Sequence, residues 1–362
     1  MPLIFITLLS VYLLGNVYIF VKGIHALAHF PLWVRGVYSA VFWLCVLMLV
    51  ISFAFRHASQ QSFFFGHILF RTGSGWLVFT LYMIIFLACT DLVRLFNRNF
   101  TDGFVISLVL TIIVLAYGYI NSLHTNKQVI NIVLNKPLKD AKPLKIVAVS
   151  DLHLGLGTDM KLLHNNIDLI NAEKPDVILI GGDLFDNSVE PVVAKNMDLE
   201  LNRLQAPQGI YFCFGNHDYM SGAANCEKFI SEKTDFRIIR DTVVTLENGL
   251  QILGRDDRHN RKRLSAGELQ RLIDPALPLV IVDHQPVALG EAQQLGADLQ
   301  FSGHTHHGQV IPLNWLTDRM FDIAYGFEKR GSVSYYVSSG LSLWGPPFRI
   351  GTNCEYVVFT VK

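Results

Sequence analysis

Five short clusters in the second half of this 362-residue chain carry side chains that bind metals: Asp151–His153, Asp183, Asn216–His217–Asp218, His284 and His304–His306. Each stands just after a short apolar run that reads as a β-strand, respectively 144–150, 177–180, 210–214, 279–282 and 299–301. In open α/β sheets, ligands gather in the loops beyond the strand C-termini. Carboxylate and amide oxygens mixed with imidazoles suit Mn²⁺, Fe or Zn²⁺ better than thiolate-seeking metals. Two such ions roughly 3.5–4 Å apart can clamp a phosphoryl group for in-line attack. The first chemistry to expect is phosphoester hydrolysis at a two-metal centre.

The elements that must hold these residues alternate in type. Residues 161–173 place Leu162, Leu163, Ile167 and Ile170 on one helical side, and 192–204 do the same with Val193, Met197, Leu201 and Leu204. Strands interleaved with amphipathic helices predict an α/β layer architecture. Further on, 243–246 and 250–253 form a hairpin pattern around Asn248–Gly249, and 334–338 and 356–361 add strands without long intervening helices. A second, more antiparallel sheet is expected there.

The first third is different. Residues 3–21, 37–55, 76–96 and 104–120 approach or reach the ~20 apolar residues that a helix needs to cross a bilayer, and they supply the excess in a hydrophobic fraction of 51%. They predict an all-α membrane domain of four transmembrane helices over 1–121. A polar, proline-containing linker is expected over 122–143, and the α/β domain over 144–362. Asp91, the one acid well inside a span, reads as an interfacial partner of Arg94 one turn on. His25, His29, His57 and His67 flank the spans and need no chemistry. The net charge is zero, so no nucleic-acid partner is expected, and the five cysteines show no CxxC spacing.

Written out, the motifs are Asp151-Leu152-His153, Gly181-Gly182-Asp183-Leu184-Phe185-Asp186, Gly215-Asn216-His217-Asp218, His284, and Gly303-His304-Thr305-His306 followed by His307-Gly308-Gln309. This set, in this order, resembles the calcineurin-like metallophosphoesterase superfamily, and most closely its membrane-associated phosphodiesterase subgroup with N-terminal transmembrane helices. The resemblance implies two packed mixed β-sheets flanked by helices. It also implies that Asp151, His153 and His306 hold one metal, that Asn216, His284 and His304 hold the other, and that Asp183 bridges them. A hydroxide between the metals would be the nucleophile. His217 would act beside the phosphate as acid or charge stabiliser, with Asp218 orienting its imidazole. In the resembling subgroup a segment like Ser338–Arg349 closes the active-site rim, which makes Trp344, Phe348 and Arg349 candidate substrate contacts.

Other residues take plainer readings. Asp186 is read as capping the helix near Pro191, His307 as lying outside the ligand set, and the Arg255–Arg263 charge cluster as a solvated loop. The expected cofactor is a pair of divalent ions, Mn²⁺ first. The expected activity is hydrolysis of a phosphodiester or pyrophosphate bond in a lipid-linked substrate. Alternatives are a phosphomonoesterase for nucleotides or phosphoproteins, a non-catalytic metal-binding scaffold, and a transporter or sensor. An integral plasma-membrane protein is expected, and Lys and Arg flanking the spans, Arg56, Arg71, Lys127, Lys136 and Lys139 against Lys22, Arg35, Arg94 and Arg98, favour one side five to four, which points to a catalytic domain in the cytoplasm.

Overall fold

The structure is a computed structural model that describes residues 2–54, 63–140 and 142–362. His57, read above as flanking a span, and Arg56, one of the cations counted around the spans, lie outside the described residues. The chain forms two compact units, one of Met1–Asn121 with Gly345–Ile350, the other of Ser122–Trp344 with Gly351–Lys362.

The first unit is built from helices α1 (Pro2–Ala26), α2 (Leu32–Ala54), α3 (Phe63–Phe96) and α4 (Gly103–Ser122). All four are long and apolar enough to cross a membrane. Apolar side chains such as Leu14, Leu47 and Ile113 are exposed along them, as in helices solvated by lipid and unlike those of a buried soluble bundle. Between the helices, Asn16 is fully buried and accepts from Trp76 Nε1 (2.9 Å) and Thr80 Oγ1 (3.3 Å), a polar tie suited to a core where lipid competes for apolar contact. Helix α3 begins well before Trp76 because Gly73 and Gly75 do not end it. Gly73 instead lets α2 approach, since a Cβ there would lie 2.7 Å from Leu49 Cα. Asp91 pairs with Lys22 and Tyr18 of α1 and not with Arg94, so the acid ties two helices together where a local ion pair was expected. In the same unit, Arg349 N–H donates to Gly118 O (2.9 Å) and Asn121 Nδ2 donates to Arg349 O (3.1 Å).

The second unit contains two six-stranded mixed sheets. In the first, strands β1 (Thr125–Ile132), β2 (Leu144–Val149), β3 (Val177–Gly181), β4 (Ile210–Cys213), β5 (Arg237–Ile238) and β12 (Cys354–Val361) run in the order β1-β12-β2-β3-β4-β5, parallel except where β12 meets β2. In the second, β6 (Thr242–Thr245), β7 (Gln251–Gly254), β8 (Leu279–Val282), β9 (Leu299–Ser302), β10 (Gly326–Arg330) and β11 (Val333–Val337) run β10-β11-β9-β8-β7-β6. This sheet is parallel at its centre and antiparallel only at its two edge pairs, so it is less antiparallel than the sequence implied. The crossovers from β7 to β8 and from β8 to β9 carry helices of only four and six residues, too short to show a 3.6-residue period.

Alternation along each strand assigns its two faces. Ile146 and Ala148 of β2 and Leu179 of β3 meet Ile252, Val280, Val282 and Phe301 of the other sheet, while Val147, Val149, Ile178 and Ile180 point to the helical side. There α5 (Met160–Ala172), capped by Asp159 accepting from Lys161 N (2.9 Å), buries Leu163, Ile167 and Ile170. The single helix expected over 192–204 is two, α6 (Glu190–Ala194) and α7 (Met197–Leu201), because Asn196 adopts a left-handed φ of 51° between them. The stretch expected as linker contains β1, paired with β12 over eight residues. Its Asn126, Lys127 and Gln128 suit an exposed edge but hide the strand from propensity.

Phe301 is fully buried between the sheets, against Tyr336 and Phe359, and its ring fills the space over Gly181. Phe301→Ala is expected to destabilise this unit by about 3–5 kcal/mol. Chemical unfolding followed by near-ultraviolet circular dichroism measures it.

Candidate metal centre

Strands β2, β3, β4, β8 and β9 all deliver their C-terminal ends to one place, and beyond β2, β3 and β9 the chain turns sharply at the donor residues. Asp151 (φ 56°), His153 (45°), Asp183 (53°), His304 (74°) and His306 (47°) all occupy the left-handed region. For residues with a Cβ this costs about 1–3 kcal/mol each, and it persists only where surrounding structure enforces it. The enforcement is visible. Asp151 N donates to Gly182 O (3.0 Å), His153 N to Asp183 O (3.0 Å), and His304 N to both Asp151 carboxylate oxygens (3.2 Å). The loop after β11 adds Leu341 N to Ser150 O (2.8 Å) and Ser342 N to Asp151 O (3.2 Å). Glycine is needed where carboxylates crowd the backbone: a Cβ on Gly215 would lie 2.2 Å from Asp183 Oδ1, and one on Gly303 2.3 Å from Asp151 Oδ2.

The donors converge in three overlapping groups: Asp151, His153 and His306; Asp183, His284 and His304; and His153, Asp186 and His217. His153 Nε2 and His306 Nε2 are 3.0 Å apart, with Asp151 Oδ1 3.4 Å from the second. Two nitrogens bound to one ion at ~2.1 Å, at angles between square and tetrahedral, stand about 3.0–3.4 Å apart. On the other side, His284 Nε2 lies 3.1 Å from Asp183 Oδ2 and 3.2 Å from Asn216 Oδ1, while its Nδ1 meets Gly181 O at 2.8 Å. That backbone contact fixes the tautomer and aims Nε2 into the cluster. Asp183 Oδ2 is also 3.9 Å from His153 Nε2, so its carboxylate stands between the two groups. These buried donors fit a pair of divalent cations.

Charge follows from the crowding. Burial opposes ionisation of Asp183, but His284 and His153 beside it hold its pKa well below the usual carboxylate range. Burial likewise opposes charge on His284, which Asp183 and Asp151 overcome, keeping its pKa well above that of free imidazole. Burial and the charge on His284 push His304 down to about 4, leaving its lone pair available.

Two expected roles change. Asp218 does not orient His217: its carboxylate accepts from the backbone N–H groups of Asp183 (2.9 Å), Phe185 (3.0 Å) and Gly215 (2.7 Å), and burial with the neighbouring Asp183 pushes its pKa up to about 7. It braces the loops. The partner of His217 is Asp186, whose Oδ1 is 3.1 Å from Nδ1, while the helix near Pro191 has no side-chain cap. Asp186 is buried, and although burial opposes its charge, His153 and His217 lower its pKa to about 2. His217 N–H donates to Asp183 Oδ1 (2.7 Å), which docks the short helix α8 (Asn216–Met220) on the central carboxylate.

The Arg255–Arg263 segment is not simply a solvated loop. Arg255 is buried against Asp241 (2.6 Å), and Arg263 grips Asp283 through two nitrogens (3.0 and 2.6 Å). With Gln285 donating to Asp257 (2.8 Å), both neighbours of His284 are anchored there. The interleaved acids Asp256 and Asp257 were the available signal in the sequence. His307 turns away to Asp318 (3.1 Å) and stacks on Tyr325. Trp344 is half exposed, edge-on to His217 with ring centroids 6.1 Å apart. Phe348 and Arg349 belong to the helical unit, and Arg349 has no exposed surface on which a phosphate could land.

Residues 144–308 match the family described as calcineurin-like phosphoesterase. An uncharacterized metallophosphoesterase of Campylobacter jejuni is 30% identical over 265 residues, 72% of this chain and 70% of that protein. One from Helicobacter pylori is 32% identical over 58% of this chain, which spans only 57% of that relative. A transmembrane protein with metallophosphoesterase domain from Bos taurus is 23% identical over 96% of this chain and 86% of its own length.

Because His153 and His284 have raised pKa values, their protons must leave before a cation binds. Affinity for Mn²⁺ is therefore expected to fall as pH drops and to level off above those raised values. Calorimetry in buffers of different ionisation enthalpy should read about one proton or more released per site at neutral pH. No release would contradict these donors.

Proposed function

The chain belongs to the calcineurin-like metallophosphoesterases, metal-dependent hydrolases of phosphoric esters, and from that premise we propose that it cleaves a phosphodiester or pyrophosphate bond in a lipid-linked substrate. The observation that carries the reading is the buried ring of nitrogen and oxygen donors around Asp183 with His217 beside it, in a chain that also has four helices of membrane length. Asp151, His153 and His306 would hold one ion, Asn216, His284 and His304 the other, and Asp183 both. The oxygen-rich donor set favours Mn²⁺, with Fe and Zn²⁺ as the next choices. When bound, such a pair withdraws charge from phosphoryl oxygens and makes water acidic enough to attack near neutral pH.

The protein's own groups do the rest. Asp186 accepts from Nδ1 of His217, which leaves Nε2 as the nitrogen that can give a proton to the departing oxygen. Asp218 holds the backbone of Asp183 and Gly215 in register for that step. Trp344 offers an apolar surface beside His217 for the organic part of the substrate. The membrane helices concentrate the hydrolytic unit where amphiphilic substrates lie. We place the helices in the plasma membrane, and the cation bias around the spans favours the hydrolytic unit in the cytoplasm.

The full chain, loaded with Mn²⁺, should turn over bis(p-nitrophenyl) phosphate and a long-chain lipid diphosphate in mixed micelles faster than p-nitrophenyl phosphate, and Asp183→Asn should abolish all three activities. Preference for the monoester would instead favour a phosphomonoesterase. Asp186→Asn should keep the bound metal, measured by mass spectrometry, while turnover falls on the order of 10–100-fold. Unchanged turnover would remove Asp186 from the mechanism.

A further inference from the structure

Directly after the ligand-bearing loop, Ile311 and the helix Leu313–Met320 present apolar side chains outward. Trp315 is 68% exposed, Met320 65% and Leu316 55%, and no residue of the helix is buried. Leu313, Leu316 and Met320 recur at i, i+3 and i+7, forming one stripe, with Arg319 beside it and Trp315 beyond Arg319, about 100° round the helix from Leu316. Polar Asn314 and Asp318 lie on the other side, and Asp318 is held by His307 (3.1 Å). The helix sits tightly on the loop, since a Cβ on Gly308 would meet Leu313 at 2.4 Å. Such exposure would be a liability in water, and it continues towards the site: Trp344 exchanges two hydrogen bonds with Gln309 (2.9 and 3.1 Å), two residues before Ile311.

We propose that the helix Leu313–Met320 is an interfacial element that lies in the headgroup region of a lipid bilayer, with Ile311, Leu313, Leu316 and Met320 in the acyl boundary and Trp315 at the headgroup level. The inference rests on the reading of α1–α4 as membrane helices. Only Leu123 and His124 separate α4 from β1, so the unit that carries this helix works beside whatever bilayer those helices enter. The stripe's chemistry fits that occupant: a narrow apolar face, an aromatic amphipathic ring and a cation able to reach phosphate. A helix of eight residues, about 12 Å long, is too small for the ~800 Å² per partner of a stable protein interface. An apolar element joined to the ligand loop would draw a lipid-linked phosphate to Trp344 and His217.

The test compares the full chain with its Trp315→Phe variant, both reconstituted in vesicles of phosphatidylcholine and phosphatidylglycerol, so that the difference in emission isolates Trp315. That emission is expected to be lost when phosphatidylcholine carries a nitroxide near the top of its acyl chain, and to be shielded from aqueous iodide. Quenching by iodide without quenching by the nitroxide lipid overturns the proposal, and so does shielding from both, which would mean a protein partner. Trp33, Trp43, Trp76 and Trp344 remain in the Trp315→Phe variant, and Trp43 and Trp76 lie within the spans: indifference of the variant's own emission to a nitroxide at the end of the acyl chain would refute the membrane reading of α1–α4. The same measurement on a Trp315→Phe, Leu316→Trp chain guards against a local effect of one substitution.

Discussion

Four carboxylates, those of Asp151, Asp183, Asp186 and Asp218, are buried together at the ends of three neighbouring strands, and everything around them answers the cost of placing so much negative charge away from water. Each acid is met differently. Asp218 takes three backbone amides, Asp186 the imidazole of His217, Asp183 that of His284, and Asp151 the amide of His304. The left-handed turns at Asp151, Asp183 and His304 are what bring those amides and rings to bear, and Gly215 and Gly303 leave room for the oxygens. Backbone strain and charge burial thus support one arrangement, in which divalent cations are the natural counter-charge.

The parts of this centre legible in the sequence were those with local signatures. The five clusters stand out because each short apolar run buries both faces of a parallel strand and ends in residues that no core would choose. Pairings across the chain were not legible. Asp218 lies next to His217 in sequence, yet its carboxylate faces backbone amides, and the partner of the imidazole comes from the β3 loop, 31 residues earlier. Likewise Arg255 and Arg263 look like surface charge until their acids, Asp241 and Asp283, arrive from other loops. Edge strands were hard for the opposite reason: β1 and β10 are largely exposed, so their residues carry little periodic signal.

The two units use apolar surface in different ways. In the helical unit it is spread over the outside of four long helices, with polarity gathered inward at Asn16 and at Asp91. In the hydrolytic unit most of it is sealed between and outside two sheets, and the helix after the ligand loop and Trp344 are among the apolar groups left exposed. Under the proposed lipid-linked reading, that helix and Trp344 are the exposed apolar groups joined to the ligand loop and set beside His217.

The central claim is that Asp151, His153 and His306 on one side of Asp183, and Asn216, His284 and His304 on the other, form a site that works only with two cations. Its most direct measurement is a titration of the metal-free full chain with Mn²⁺, following bound metal by mass spectrometry and turnover of a soluble chromogenic phosphodiester together. The account predicts that turnover rises with the second equivalent bound and hardly with the first. Full turnover with a single ion bound would contradict it.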